Sequence, residues 1–451
     1  MLTTPSSQNT KNNVLIADIV LFVLLLNLLP FDEPITKGLS ILIFVAVLWL
    51  TEAIHISITA LLVPILAVSL NVFNTTVAFE SFAHPIIFLF LGGFALASAL
   101  HKQGLDQAIA AHVLALAKGK LSIALLLLFA VTAILSMWIS NTATAAMMLP
   151  LTIGMLYQVR DEHDKRLWIF TLLGVAYCAN IGGIATLVGS PPNAIAAAVT
   201  GLTFSQWLIK ALPLTLMLLP AAIGSLYLIF KPDLSHSVRY KQEKTQWNYH
   251  KKATIGIFLF AVVFWIFSSP INALLGGFSS FDTLVAMSAL IALVVSGAVG
   301  WKDIEKSTDW SVLILFGGGL CLSAILKETG TSLFLAQNLS NWLGGVSPFV
   351  VILVIVAFVV FLTELASNTA SAALLIPVFA AVAPALGLDP VILAALIAVS
   401  ASCAFMLPVA TPPNALVFAT GHIPQRAMMS AGLVLNLSCI VLISIYSWLF
   451  W

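Results

Sequence analysis

Two short polar stretches, nearly copies of one another, interrupt otherwise apolar sequence. The first runs Ser140-Asn141-Thr142-Ala143-Thr144 and the second Ser367-Asn368-Thr369-Ala370-Ser371. Each is followed by a matched proline piece, Gly189-Ser190-Pro191-Pro192-Asn193 and Ala410-Thr411-Pro412-Pro413-Asn414. The triplets stand 227 positions apart and the proline pieces 221, so the two sets share one order and nearly one spacing. Hydroxyls come from Ser136, Ser140, Thr142, Ser190, Thr363, Ser367, Thr369 and Thr411, and amides from Asn141 and Asn368. Such oxygens, with carbonyls of unwound helix, are hard ligands that suit sodium. Half-helices starting at a polar tip can hold an anion at their N-termini without lysine or arginine. No charged residue lies inside either triplet or either proline piece. That chemistry fits a mobile anion accompanied by cations, which lowers the cost of moving its charge through low dielectric.

Taken singly, these residues have ordinary explanations. A serine or threonine in a membrane helix usually bonds to its own backbone, and a lone Gly-Gly or Pro-Pro is a kink. It is the ordered duplication that favours a binding site. Glu364, beside the second tip, is matched by Met137 in the first half, so its singleness argues for structure or tuning rather than direct binding. Gly92-Gly93 and Gly317 to Gly319 read as points of close helix packing. His55, His84, His101 and His163 lie near span ends and read as interfacial residues rather than metal ligands. Cys178, Cys321, Cys403 and Cys439 form no Cys-x-x-Cys pair and read as buried small hydrophobes.

The elements that must carry these residues are membrane helices. Of 451 residues 61% are hydrophobic and 8% charged, against about 25% charged in soluble domains. Apolar runs recur from Val14 to Trp451, which makes the chain an all-α polytopic membrane protein. A net charge of +1 with no basic face gives no reason to expect a nucleic-acid partner. The stretch 1–13, with Lys11 its one basic residue, reads as a cytoplasmic tail rather than a cleaved signal peptide. The segments 121–157 and 347–385 are too long for one span of roughly 20 residues and too short for two with a polar loop. Each is expected to be a re-entrant helical hairpin with its triplet at the tip. In 167–200 and 388–421 paired prolines should leave an unwound joint inside a broken helix.

The repeat extends beyond the tips: Leu91-Gly92-Gly93 aligns with Phe316-Gly317-Gly318-Gly319, Lys102 with Glu328 and Gly104 with Gly330. The loop 231–252 carries Lys231, Arg239, Lys241, Lys244, Lys251 and Lys252 and should be cytoplasmic. Counting outward leaves only Lys37, Lys210 and Lys327 of 19 basic residues outside. The preferred topology therefore has eleven transmembrane helices plus the two hairpins, N-terminus cytoplasmic and C-terminus external. Five spans separate the hairpins, so they enter from opposite faces, and an inverted-topology repeat is a transporter signature.

With these motifs the chain resembles the divalent anion:sodium symporter family, bacterial relatives of sodium-coupled dicarboxylate and citrate carriers. The resemblance covers the whole chain. It implies import of C4-dicarboxylates such as succinate, malate or fumarate, driven by co-transported Na⁺ at two or more sites, across a bacterial inner membrane. It also implies a homodimer whose protomers work as elevators. In each, a transport domain (121–206 and 347–424) would move against scaffold spans (14–120 and 207–346), with 425–451 the last span. By matching position, one sodium ion would be held by Ser136, Ser140, Asn141 and the Gly189 carbonyl. A second would be held by Thr363, Asn368 and the Ala366 and Ala410 carbonyls. Substrate carboxylates would meet Asn141, Thr142, Ser190, Ser367, Asn368, Thr369, Thr411 and Pro412.

Other readings fare worse on the residues. Citrate, sulfate or another divalent oxyanion would use the same triplets. Proton coupling would need buried relays, and acids and histidines within the spans are sparse. A channel would call for a filter run or an acidic ring. An enzyme would call for a motif such as His-Glu-x-x-His, and the chain has none.

Overall fold

Apolar runs in hydrocarbon fold as helices because each backbone donor must find its acceptor within the segment. The computed structural model describes residues 5–159, 164–237, 246–343 and 345–451. Arg160, His163, Arg239, Lys241 and Lys244, and the first four residues of the expected tail, lie outside the described residues. Among the described residues there is no strand, only an isolated bridge between Lys120 and Ser237.

The chain opens with α1 (Pro5–Leu28), α2 (Glu33–Thr51), α3 (Ile56–Ser69), α4 (Thr75–Glu80), α5 (Pro85–Lys102) and α6 (Leu105–Ala115). Helices α7 (Leu121–Ser136) and α8 (Asn141–Leu156) are the two arms around the first tip, and α9 (Lys165–Gly182) and α10 (Pro191–Thr200) flank the first joint. Next come α11 (Phe204–Phe230), α12 (Tyr249–Ile266), α13 (Ser268–Leu274), α14 (Phe281–Val295), α15 (Trp301–Ser307), α16 (Trp310–Glu328) and α17 (Thr331–Leu343). The second arms are α18 (Pro348–Thr363) and α19 (Asn368–Val382), the second broken pair α20 (Pro390–Ala401) and α21 (Pro412–Phe418), and α22 (Gln425–Phe450) closes the chain.

Among the described residues eight helices are long and apolar enough to cross a membrane. Helices α3 and α14, counted as spans from the sequence, have only 14 and 15 residues, roughly 21–23 Å at 1.5 Å per residue. The expected tail is helical from Pro5. Two helices that the sequence reading passed over, α6 and α17, follow α5 and α16 at matching places. Each begins after a left-handed glycine, Gly104 (φ 62°) and Gly330 (φ 70°), a conformation glycine adopts without strain.

The same crossing is built twice. A Cβ on Gly92 of α5 would stand 2.6 Å from Ala286 Cβ of α14, and one on Gly318 of α16 would stand 2.6 Å from Ala60 Cβ of α3. Both pairs need glycine for the backbones to approach. Around this frame pack the hairpins and broken helices. Helix α9 is buried on every face from Leu167 to Gly182, so the joint that follows it sits in the molecule's interior. Apolar side chains on α1 and α22, such as Ile16, Val20, Leu437 and Val441, are exposed, as hydrocarbon surroundings allow.

Candidate anion and cation site

Each triplet starts a helix by capping it. Ser140 Oγ accepts from Ala143 N (3.3 Å) at the head of α8, and Ser367 Oγ accepts from Ala370 N (3.5 Å) at the head of α19. Each proline pair likewise opens a half-helix, where the missing N–H costs nothing. Ser190 and Thr411 stand before α10 and α21 in extended conformation.

The unwound joints are held by twin asparagines. Asn193 Nδ2 donates to the carbonyls of Gly183 (2.9 Å), Ile184 (3.2 Å) and Thr186 (2.7 Å). Asn414 Nδ2 donates to those of Ala404 (3.2 Å) and Leu407 (3.1 Å), the positions matching Gly183 and Thr186. The halves are also cross-braced. Asn180 Nδ2 at the end of α9 donates to Thr411 Oγ1 (3.0 Å), Ser402 after α20 meets Ser190 (Oγ to Oγ, 3.3 Å), and Tyr177 donates its hydroxyl to the Phe405 carbonyl (2.9 Å).

At one matched place the halves use different chemistry. In the first, Thr186 donates its hydroxyl to the Met137 carbonyl and accepts from Gly189 N. In the second, Glu364 replaces that arrangement. Its Oε1 accepts from Phe405 N (2.6 Å), Met406 N (2.9 Å) and Asn436 Nδ2 (2.7 Å), and its Oε2 from Leu407 N (3.0 Å). The buried carboxylate is thus spent on the joint, in line with the structural reading of Glu364.

Tips and joints converge on one cavity of about 1080 Å³, whose wall includes Asn141, Thr142, Ser190, Ser367, Asn368, Thr369, Thr411 and Pro412. The cavity extends to Lys11, Glu52 and Asp309. Of the residues expected around cations, Ser140, Asn141, Gly189, Ala366, Asn368 and Ala410 also line it, whereas Ser136 and Thr363 are fully buried and do not. Ser136 nonetheless touches Asn141, another residue expected in the first set. The inward end of the Asn141 amide stands 2.7 Å from Ser136 Oγ, 3.1 Å from the Ala179 oxygen and 3.2 Å from the Gly189 oxygen. Three oxygens gathered on one amide end form either a nest for its NH₂ or, with the amide oxygen turned in, a set of hard donors fit for an alkali cation. A Cβ on Gly183 would lie 2.2 Å from Asn141 Oδ1, so only glycine leaves this room. In the second set Asn368 Oδ1 is buried and, among the described residues, without a hydrogen-bond partner, while Thr363 Oγ1 donates to Val360 O (3.1 Å).

Asn180, on the cavity wall and holding Thr411, is a site residue that sequence reasoning missed. Its signal was there: it is the one amide side chain in α9, immediately before the joint. Outside the membrane-spanning segments, Lys102 Nζ lies 2.6 Å from Asp303 Oδ2 and its hydrogen bond holds that carboxyl below the usual range. His55 and His84 cap α3 and α5 by accepting from Ser57 N and Ile86 N, and the four cysteines are buried.

A helical frame crossed twice alike, with two polar tips and two proline joints meeting in its interior, defines an integral membrane transporter. Residues 46–399 match the citrate transporter family, CitMHS. A Haemophilus influenzae protein described as an uncharacterized transporter is 51% identical over 99% of this chain and 98% of its own length. The sodium-dependent dicarboxylate transporter SdcS of Staphylococcus saprophyticus is 34% identical, covering 94% of this chain and 88% of that protein. The crystal structure of the Alcanivorax borkumensis YdaH transporter shares the fold, with a TM-score of 0.59 at 16% identity over 83% of this chain and 87% of that one. The chain belongs to this family of transporters, the citrate transporter and divalent anion:sodium symporter group.

Proposed function

We propose that the protein is a secondary active symporter that couples inward sodium flow to uptake of C4-dicarboxylates such as succinate, malate and fumarate. The observation that carries this reading is the convergence of both Ser-Asn-Thr tips and both proline joints on one cavity. The hydroxyls, amides and helix N-termini there suit carboxylates. The oxygens around Asn141 and the unpartnered Asn368 Oδ1 suit sodium. Relatives named sodium-dependent dicarboxylate transporters support the same substrates and the same ion. In this reading eleven spans, inverted halves and a homodimer frame an elevator-like movement of α7–α10 and α18–α21 against the remaining helices, in the plasma membrane with the N-terminus cytoplasmic and the C-terminus external.

The test is radiolabelled succinate uptake by the purified protein in liposomes under sodium, potassium or proton gradients. Uptake with sodium alone, competed by malate and fumarate, is the expected result, and Asn141→Ala or Asn368→Ala should weaken sodium activation together with uptake. Equal uptake under a proton gradient would overturn the coupling ion. No uptake would overturn the substrate class.

A further inference from the structure

Beside the central cavity, two further cavities obey the repeat. One, of about 500 Å³, lies between α5, α6 and α8 and includes His101, Asp106 and Pro150. The other, of about 530 Å³, lies between α16, α17, α19 and α20 and includes Lys327, Ser332 and Pro377. Those residues replace His101, Asp106 and Pro150 at positions 226, 226 and 227 further on. Each cavity therefore flanks the second arm of one hairpin, and on the topology proposed above they open towards opposite faces. The first shares Phe94, Ser140, Ala143, Ala146 and Ser307 with the central cavity, whereas no residue is common to the central cavity and the second.

Their charges differ. In the inner cavity His101 Nδ1 is 2.9 Å from the buried Asp106 carboxylate, and the next residue, Lys102, is bound to Asp303. In the outer cavity the exposed Lys327 shares the wall with Ser332, which stands where the inner one has its acid. Of the three basic residues expected outside, Lys37 pairs with Glu33 at 2.7 Å and Lys210 sits 5.9 Å over the Trp451 ring. Lys327 has no ion pair among the described residues. Its exposed neighbour Glu328 makes none with it, and Asp389 is engaged in capping α20 through Val391 N.

We propose that the outer cavity is an antechamber that captures the dianionic substrate on Lys327 before it reaches the second hairpin tip, a site that rests on the anion-carrier reading above. The inner cavity, where the Asp106 carboxylate stands in place of Ser332 and His101 Nδ1 lies against it, offers a leaving anion no such hold. Field-driven capture raises the rate of encounter and acts through charge alone. For a dianion about 7 Å from one ammonium it amounts to roughly fivefold at low ionic strength and about twofold at 0.15 M.

The test compares wild type, Lys327→Gln and Lys327→Arg in oriented liposomes. Lys327→Gln should raise the external KM for succinate about fivefold at low salt, with the maximal rate held, the difference shrinking as salt rises and Lys327→Arg restoring the wild-type value. A reading independent of transport comes from Ser332→Cys, labelled from outside by a sulfonate-bearing and by a trimethylammonium-bearing methanethiosulfonate. Because the native cysteines are buried, labelling reports that one position. The anionic reagent should be favoured, and Lys327→Gln should cut its advantage about fivefold. An unchanged reagent ratio together with an unchanged KM overturns the antechamber. A wild type that imports no succinate overturns the substrate reading instead, and the reagent ratio then decides the antechamber alone.

Discussion

Glu364 shows how one residue can carry a task that its repeat partner does not have. Met137 occupies the equivalent position and offers only its carbonyl, to Thr186. Glu364 instead accepts three successive backbone N–H groups of the second joint and the Asn436 amide. Unwound backbone in a membrane interior must find partners, and a charge-assisted bond is worth about 1.5–3 kcal/mol. Glu364→Gln keeps the shape, but its NH₂ must face one of those donors. It should lower thermal stability by a cost in that range and depress sodium-driven uptake with it. Glu364→Met, the residue type of the first half, should be worse, because three N–H groups lose their acceptors. Unfolding curves in detergent with uptake on the same preparations check this, and a Glu364→Gln protein as stable as wild type would refute the brace. The residue scale was only half legible in sequence. The tips and joints stood out because hydroxyls, amides and prolines are conspicuous among leucines. The bond from Asn180 to Thr411 did not, because its partners are 231 positions apart and meet only through the fold.

At the scale of elements the frame contains two helix crossings where the backbones leave no room for a side chain. A methyl on Gly318 would fall 2.6 Å from Ala60 Cβ, with α3 backbone atoms at 2.7 and 2.8 Å, so the helix itself must give way. Overpacking of that kind costs about 1–3 kcal/mol. Gly318→Ala and Gly92→Ala should each lower the melting temperature of the purified protein, whereas Gly224→Ala in α11, with nothing within 4 Å, should leave it unchanged. Equal melting temperatures for all three variants would mean that α3 and α14 hold their places by other contacts. The Gly-Gly motifs were legible as packing points, and their partners became visible only in three dimensions. Helices α6 and α17 escaped the sequence reading for a different reason. Each follows the preceding helix after only two residues, Gln103-Gly104 and Thr329-Gly330, too few to read as a loop between separate elements, and the glycines mark the turn through their backbone conformation.

At the scale of the whole molecule, equivalent residues of the two halves stand in unequal surroundings. Ala143 and Ala146 of the first hairpin are exposed on the wall of the central cavity, while their counterparts Ala370 and Ala373 are fully buried. A Cβ on Gly319 would stand 3.3 Å from Ala373 Cβ, so α16 closes directly on the second hairpin. Gly93, one of the paired glycines of α5, faces Val188 instead of Ala146. One hairpin is sealed and the other open. On the inverted-repeat reading proposed above, this asymmetry is one of two mirror-related states that the halves would exchange. The open side is that of Lys11, Glu52 and Asp309, which is the inner face in the proposed topology. Exchange of the two arrangements would bury Ala143 and expose Ala370. We therefore expect Ala143→Cys to react with a membrane-impermeant maleimide from the inner face and Ala370→Cys to be inert in the state described. External sodium with succinate should make Ala370→Cys reactive from outside while slowing Ala143→Cys, and neither solute alone should do as much. Rates at both positions that stay fixed in a protein that transports normally would rule out exchange of the hairpins and require another route for the substrate, because the seal of α16 on α19 would then never open.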